Sequence, residues 1–374
     1  MGAMTAAALH ARLITHGAPA GHVGHLAHGP ARLTLRADTP AVIPAVTAAL
    51  HAYLPTASGA GWTLTVRTTA RIDTDLAAAV CTGAAVDVGP AQLAHPCTLP
   101  AAALWWLPQP RILVYRDNER REVTLTGHPE PVRPWAARLA RQLVTAQLVD
   151  AGAVHAHAAA FAHRGGGVLI AGLAGAGKTT CLLAGLRATD GHFVANDRVL
   201  LLPDSTGLTA YAWPAPLRAA PGTLRAVDGL DVFTHARGEQ EKTDIDPALL
   251  AGRVGSGITG STCPRLMLWP ARTRNPHQPE AVPADEVRAT LANTRLFLHD
   301  PDTGRSSHLN HWLVPLPDFA ALDQARDTVI GLLAALPCVR IAVTDDIDQL
   351  IRDLNTVLTT VRSAATTPVP REQP

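Results

Sequence analysis

Residues 172–180, Gly-Leu-Ala-Gly-Ala-Gly-Lys-Thr-Thr, have types and spacing that indicate phosphate chemistry. They match G-x-x-x-x-G-K-[ST] and lie between an apolar run, GVLIAG, and a helical pattern, TCLLAGLR. Glycines let successive backbone N–H groups turn inward around phosphates, and the helix N-terminus adds partial positive charge. Lys178 would reach the β- and γ-phosphates, and the Thr179 hydroxyl would ligate Mg²⁺. The motif therefore predicts ATP and Mg²⁺ as cofactors, with the nucleotide held by Gly172, Ala174, Gly175, Ala176, Gly177, Lys178, Thr179 and Thr180.

Missing companion motifs narrow the class of phosphate-loop protein. The sequence contains no N-K-x-D segment for reading guanine and no L-S-G-G-Q segment. A D-x-x-G match at 204–207 has two wildcards and arises readily by chance. The loop also lies far from the N-terminus, unlike the loop of small nucleoside kinases. These observations argue against a switch GTPase and a transport ATPase.

An acidic residue follows the phosphate loop by about one helix and one strand. After the helical pattern and a turn at Asp190, the run HFVANDRVLLL predicts a buried strand. Asp197 in this run is expected to face the phosphate loop and to act as a metal ligand. The alternative is a solvated strand-end carboxylate paired with Arg198.

These segments together resemble a known family. The order His157-Ala-Ala-Ala, then LAGAGKTT, then GHFVANDRVLLL is similar to the core of the HPr serine kinase/phosphatases and their relatives in peptide natural-product biosynthesis. The resemblance covers residues 150–202 well, the later part only in outline, and the first 130 residues not at all. It implies a P-loop core with a mixed, twisted sheet related to that of phosphoenolpyruvate carboxykinase. Because members of that family often form rings or dimers, it also implies a homo-oligomer.

The sequence departs from the family pattern at one position of the strand. The family carries two adjacent Asp residues, implying a general base followed by a metal contact, whereas this chain carries Asn196 and Asp197. An Asn side chain cannot accept a proton as a base does. By the resemblance, Asp197 keeps the metal role, and the base is either missing or supplied by His157. The alternative for His157 is a structural histidine on an alanine-rich strand.

Basic residues further along the chain are candidates for contacting the transferred phosphate. Arg218, Lys242 and Arg265 lie where the family brings phosphate-contacting cations. Lys242 is the preferred one because it lies in a polar loop just before a proline-capped helix. Each of the three is otherwise a solvated surface charge.

Apolar periodicity predicts an α/β fold in two parts, a small N-terminal α+β domain (1–130) and a second domain (131–362), followed by a disordered tail (363–374). The resemblance implies that the second domain is P-loop kinase-like. Strand–helix–strand patterns occupy 31–71, and a hairpin follows at 111–127. The proline-rich segment 128–134 is the predicted boundary, and the helix after it is expected to pack onto the second domain. By analogy alone, the N-terminal domain is a candidate for recognising the acceptor.

Composition bounds partners and compartment. The chain has 374 residues and a formal net charge of +1, without the clustered Lys and Arg that nucleic acid or anionic membrane binding requires. Its five cysteines have no metal-ligand or C-x-x-C spacing, which is typical of a reducing compartment. The N-terminal apolar patch is too short and interrupted for a signal peptide or membrane span. We expect a cytoplasmic protein with no nucleic-acid or membrane partner.

Three hypotheses for function remain after these exclusions. The first is an ATP- and Mg²⁺-dependent kinase acting on Ser or Thr of a peptide or small protein, using His157, Lys178, Asn196, Asp197 and Lys242 as site residues and Thr179 and Asp197 as metal ligands. A hydroxylated metabolite is the alternative acceptor. The second is a nucleotide-binding module in which Asn196 marks the loss of transfer. The third, a decarboxylating kinase, is disfavoured because the sequence offers no transition-metal cluster.

Overall fold

The protein is a mixed α/β chain of two compact units. A computed structural model describes residues 6–15, 17–89, 92–99, 101–164, 166–205, 207–236, 242–274, 277–293, 296–297, 299–300, 305–306, 312–314 and 317–365. The first unit comprises Met1–Asp150 with His308–Leu316, and the second comprises Ala151–Ser307 with Pro317–Pro374. Within the described part of the chain, no helix is both long and apolar enough to cross a membrane.

The first unit is built on one large sheet. Its elements are α1 (Ala6–Leu13), β1 (Ile14–Thr15), β2 (His22–His28), β3 (Ala31–Ala37), α2 (Val42–Ala49), β4 (Leu54–Pro55), β5 (Trp62–Arg67), β6 (Arg71–Ile72), α3 (Thr74–Val80), β7 (Val86–Gly89), β8 (Gln92–Leu99), β9 (Ala102–Leu107), β10 (Ile112–Asp117), β11 (Glu122–Thr126) and α4 (Pro129–Asp150).

Nine of these strands form the sheet, in the order β4-β2-β3-β5-β11-β10-β9-β8-β7. The alternating pattern of β3 buries every second residue, and this strand runs parallel to β5, so the predicted strand–helix–strand unit is confirmed. The predicted hairpin is confirmed as the antiparallel pair β10 and β11. A small cluster under α1 and α3 includes Leu13, Leu104 and Tyr115. His10 stacks on the Tyr115 ring there, with centroids 4.4 Å apart.

The predicted boundary at 128–134 is wrong, because these residues form the first turns of α4. Pro129 and Pro131 are tolerated because first-turn N–H groups have no partner within the helix, whereas Pro134 lies inside α4, beyond its first turn. The predicted apolar face is confirmed, with Trp135, Leu139, Leu143 and Leu148 all buried. However, α4 packs on α2, β3, β5 and β11, so the helix belongs to the first unit and not to the second. The boundary between the units therefore follows Asp150.

Among its described residues, the second unit contains a seven-stranded sheet, a four-stranded sheet, two two-stranded sheets and six α-helices. Its elements are β12 (Val154–Ala156), β13 (Ala159–His163), β14 (Gly166–Ile170), α5 (Lys178–Ala188), β15 (His192–Ala195), β16 (Val199–Asp204), β17 (Gly207–Ala212), β18 (Leu217–Ala219), α6 (Pro221–Ala226), a 3₁₀ helix (Asp231–Ala236), β19 (Thr243–Ile245), α7 (Pro247–Val254), β20 (Gly257–Ile258), β21 (Ser261–Thr262), β22 (Pro264–Arg272), β23 (Glu280–Ala281), α8 (Ala284–Asn293), β24 (His299–Asp300), β25 (Arg305–Ser306), α9 (Phe319–Ala334), β26 (Cys338–Val343) and α10 (Ile347–Ala365).

The larger sheet of this unit is mixed, in the order β20-β15-β13-β14-β22-β26-β23. Strands β14, β22 and β26 are parallel neighbours, whereas β13 is antiparallel to β14. Helices α5 and α10 pack together over the buried residues of β13, β14, β22 and β26. Because parallel strands end at one edge, the loop after β14 and the residues after β22 and β26 lie along the same edge.

The run HFVANDRVLLL, predicted as one strand, forms two strands in different sheets. Strand β15 belongs to the seven-stranded sheet, and β16 pairs with β12 and β17 in a four-stranded sheet. Residues 196–198 make the connection, so their side chains lie where the chain leaves one sheet for the other. Of the predicted disordered tail (363–374), residues 363–365 belong to α10, so the tail was predicted to begin too early, and 366–374 lie outside the described residues.

Candidate functional site

The phosphate-loop motif occupies the strand–loop–helix position that its sequence predicts. It joins β14 to α5, and Gly177 caps the helix in the left-handed region at φ 100°. Gly175 also has a positive φ, 80°. A Cβ atom added at Gly177 would lie 2.8 Å from Val343 Cγ1, so both conformation and space demand glycine. The backbone N–H groups at the start of α5 remain available for an anion.

Lys178 is the buried cation of the loop. Its side chain is only 9% exposed, and Nζ donates hydrogen bonds to the carbonyl oxygens of Gly172 at 2.8 Å and Leu173 at 3.1 Å. Burial lowers the pKa of Lys178, Asp197 opposes this by raising it, and Lys242 lowers it further. An ammonium held in this way lies over the loop, where phosphate oxygens would satisfy it better than neutral carbonyls do.

His157 and Asp197 come together beside this loop. Nε2 of His157 lies 3.4 Å from Oδ1 of Asp197, and Nε of Arg198 lies 3.5 Å from the other carboxylate oxygen. Arg198 is in turn packed over the ring of Trp213, at 4.5 Å from the centroid. The backbone N–H of His157 donates to the carbonyl of Leu296 at 2.7 Å. Asp197 is thus held between a histidine and an arginine.

The charges around His157 favour its neutral form. Burial lowers the pKa of His157, and the nearby cations Lys178, Arg198 and Lys242 lower it further, while Asp197 raises it. The net result is a pKa below the ordinary value for histidine. A neutral imidazole with one unprotonated nitrogen can accept a proton at neutral pH.

Asn196 is almost buried at the same chain connection. It is 9% exposed, and Nδ2 donates to the Arg218 carbonyl at 3.5 Å, while Oδ1 has no hydrogen-bond partner in the described structure. A buried amide oxygen left without a partner is unfavourable by about 1–3 kcal/mol. The amide oxygen of Asn196 is therefore a buried acceptor that the described residues leave without a hydrogen bond, although its Nδ2 donates one.

A two-stranded ribbon brings basic residues towards this connection. Strands β18 and β19 pair across Arg218 and Asp244, whose side chains form an exposed ion pair at 3.1 Å. Lys242 directly precedes β19, is exposed, and acts electrostatically on both His157 and Lys178. The sequence has two lysines, Lys178 and Lys242, and both act electrostatically on His157.

Arg265 is not brought to the site. It lies near the amino end of β22, and Pro264 pairs with Gly167, at the start of β14. The phosphate loop follows the opposite end of β14. The sequence pattern could not show this, because the register of two parallel strands depends on tertiary pairing.

Oxygen ligands for a cation are few but suitable. Thr179 is the second residue of α5 and follows Lys178 in the chain. The charge of Asp197 raises the pKa of Lys178. Within the described residues, no group of three or more His, Cys, Asp or Glu could hold a metal by itself. Mg²⁺ commonly takes one or two protein oxygens together with phosphates and water, and Thr179 and Asp197 carry oxygens of the type that it prefers. The Thr180 hydroxyl instead contacts the Thr223 hydroxyl at 3.1 Å.

One cavity is lined by residues of the loop, and a second lies at the edge of the sheet where the loop begins. The first, of about 400 Å³, is bounded by His157, residues 172–174 and Trp269. The other, of about 920 Å³, lies at the carboxyl ends of β22 and β26, where Arg272 and Val343 contribute to its wall. Sequence reasoning missed Trp269 and Trp213, since an aromatic residue in a strand pattern is usually core. No family model matches the chain, and no curated protein matches it in sequence.

Proposed function

We propose that the protein is an ATP- and Mg²⁺-dependent kinase that transfers the γ-phosphate to a hydroxyl, in the first place that of Ser or Thr in a peptide or small protein. The observation that carries this proposal is the buried Lys178 of a phosphate loop beside the His157–Asp197 pair. The mixed sheet with its loop between β14 and α5 is consistent with the core resembled by the sequence, that of HPr kinases and phosphoenolpyruvate carboxykinase.

The roles of the side chains follow from charge and position. Backbone N–H groups of residues 172–180 and Lys178 bind the phosphates, and Thr179 with Asp197 would hold Mg²⁺. The metal ion, when bound, neutralises charge on the phosphate oxygens. Lys242, directly before β19, adds an ammonium group on a long, flexible side chain, and this cation offsets negative charge on the transferred phosphate. The larger cavity next to Val343 gives room for the nucleoside.

Proton removal from the acceptor is assigned to His157. The ring nitrogen that does not face Asp197 accepts the hydroxyl proton as the bond from the acceptor oxygen to the γ-phosphorus forms and the bond from that phosphorus to ADP breaks. Nε2 faces Oδ1 of Asp197 at 3.4 Å, and this carboxylate stabilises the resulting imidazolium. Because phosphoryl transfer passes through a loose transition state, positioning and charge neutralisation dominate, and the reaction can proceed without an aspartate base.

A second function is favoured by Asn196. Its buried amide occupies the position at which the resembled family carries its base, which suits a module that binds nucleotide without turnover. In that case ATP·Mg²⁺ binding would order a surface for a partner protein. The two functions differ in whether ADP is released and an acceptor gains mass.

The deciding experiment combines ADP release with mass spectrometry, using γ-labelled ATP and Mg²⁺. Wild type is compared with Lys178→Ala and with Arg253→Ala, an exposed cation of α7 that serves as the matched control. We expect transfer to fall about 10²-fold or more in Lys178→Ala and to persist in Arg253→Ala. Tight ATP binding without ADP release in the presence of any tested acceptor would instead support the second function, a nucleotide-binding module.

A further inference from the structure

The described lining of the smaller cavity combines His157 and part of the phosphate loop with side chains that carry no charge. Its lining combines His157, the first residues of the phosphate loop (172–174), Trp269, Asn293 and Leu296. At about 400 Å³ it falls within the usual size of small-ligand sites. Among the lining residues that the structure describes, His157 is the one titratable side chain, whereas Arg272 and Asp345 line the larger cavity.

Leu173 is an unusual member of this lining. Its side chain is 65% exposed although its carbonyl accepts a hydrogen bond from the buried Lys178. Leu296 is nearly buried, at 5% exposed, and Trp269 is half-buried, so the cavity has an apolar floor and an apolar rim. An apolar group entering here would remove leucine and tryptophan surface from water.

The cavity lies beside the part of the phosphate loop that holds Lys178. The carbonyls of Gly172 and Leu173 that hold Lys178 belong to the same residues that line it. A molecule in the cavity therefore lies between the phosphate loop and His157. Lys178, Arg198 and Lys242 act electrostatically on His157, and none of the three is among the residues that line the cavity. The charged side of the site is thus the phosphate side, and the cavity is its neutral side.

We propose that this cavity is the acceptor subsite, and that it takes a hydroxyl carried next to an uncharged, apolar group. The group is either the side chain beside a Ser or Thr in a peptide or the body of an apolar alcohol. This inference rests on the proposed kinase function and adds the chemical class of its acceptor. An acidic neighbour would enter a cavity whose described lining residues, with His157 neutral, offer no cation, so the desolvation of its carboxylate disfavours it.

Binding is measured first, without requiring turnover. Saturation-transfer NMR with the ATP-loaded full chain compares N-acetyl-leucyl-serine amide with N-acetyl-aspartyl-serine amide. We expect the leucyl probe to bind about tenfold more tightly or better. Leu173→Lys and Asn293→Lys, both at exposed side chains, place a cation in the cavity that favours the aspartyl probe and should abolish that preference, while Asn355→Lys on α10 should retain it. Equal affinity for the two probes in wild type would overturn the proposal, as would an unchanged preference in both cavity variants.

Transfer is measured next with the same probes and with 3-methylbutan-1-ol. If only the leucyl peptide gains the mass of a phosphate, the acceptor is a peptide. If 3-methylbutan-1-ol gains it as well, an apolar group beside the hydroxyl is sufficient for recognition. Selective binding of the leucyl probe without any phosphate gain would overturn the kinase function and with it the acceptor role. Equal kcat/KM on leucyl and aspartyl peptides would leave the kinase intact and overturn the subsite.

Discussion

Nε2 of His157 lies 3.4 Å from Oδ1 of Asp197, although the two residues are far apart in the chain and belong to different connections. His157 lies between β12 and β13, and Asp197 lies between β15 and β16. Each connection passes from the four-stranded sheet to the seven-stranded sheet or back, so the two meet at the same place. The carboxylate orients the imidazole and opposes the cations that lower its pKa.

This relationship predicts opposite changes in the titration of His157. Asp197→Asn removes the carboxylate that raises the pKa of His157, so the pKa should fall further below its ordinary value. Lys242→Met removes a cation that lowers it, so the pKa should rise. The measurement is the pH dependence of the His157 ring resonance by NMR, with Arg253→Ala as control.

The same variants bear on the pH dependence of transfer. If His157 accepts the proton, activity is lost as pH falls through its pKa, because the protonated ring cannot act as a base. The acid limb of the rate profile should therefore shift to higher pH in Lys242→Met. A profile that stays in place while the NMR titration moves would remove His157 from the role of base.

Asn196→Asp should increase phosphoryl transfer. Burial raises the pKa of a carboxylate, which makes a stronger base than an amide can provide, and a positioned base contributes about 10²–10⁴-fold. Steady-state ADP release and acceptor mass gain are the readouts, with thermal unfolding to check the fold. Asn355→Asp, at an exposed helical position, should leave both unchanged. No gain in a folded, ATP-binding Asn196→Asp protein would show that His157 already supplies the base.

Gly177→Ala should damage both the fold and nucleotide binding. Alanine at φ 100° is strained, and its Cβ would meet Val343 at 2.8 Å, so we expect a loss of about 1–3 kcal/mol. Gly252→Ala is the matched control, because its added Cβ meets nothing within 4 Å in helix α7. That change should stabilise by about 0.5–1 kcal/mol. Urea unfolding and ATP affinity distinguish the two, and equal effects would contradict the glycine assignment.

His10 should make the protein less stable in mild acid. Burial, assisted by Arg67, lowers the pKa of His10 to about 4, and Nε2 has no hydrogen-bond partner in the described structure. The unfolded chain binds this proton near pH 6.5 and the folded chain only near pH 4, so stability is lost as pH falls between those values. At pH 5 the loss is about 2 kcal/mol. His10→Phe, which can still stack on Tyr115, should lose less stability than wild type between pH 7.5 and 5 in urea unfolding.

Local patterns were sufficient for much of the second unit. The phosphate loop, its strand and its helix were predictable because glycine freedom, apolar alternation and helix spacing all act within a few residues. In the first unit, the hairpin of β10 and β11 followed from the same short-range signals. The boundary at 128–134 failed because proline in a first helical turn and proline in a linker look alike in sequence.

Sequence alone established a phosphate loop, its lysine and threonine, and the candidate residues His157, Asn196 and Asp197. Only the tertiary structure decided that His157 contacts Asp197, that Lys242 acts on both His157 and Lys178, and that Arg265 lies at the wrong end of its strand. It also placed Trp269 and Leu296 in one cavity. The physical reason is that motifs are set by local backbone and side-chain requirements, whereas these contacts depend on strand order, register and sheet-to-sheet crossings between distant segments.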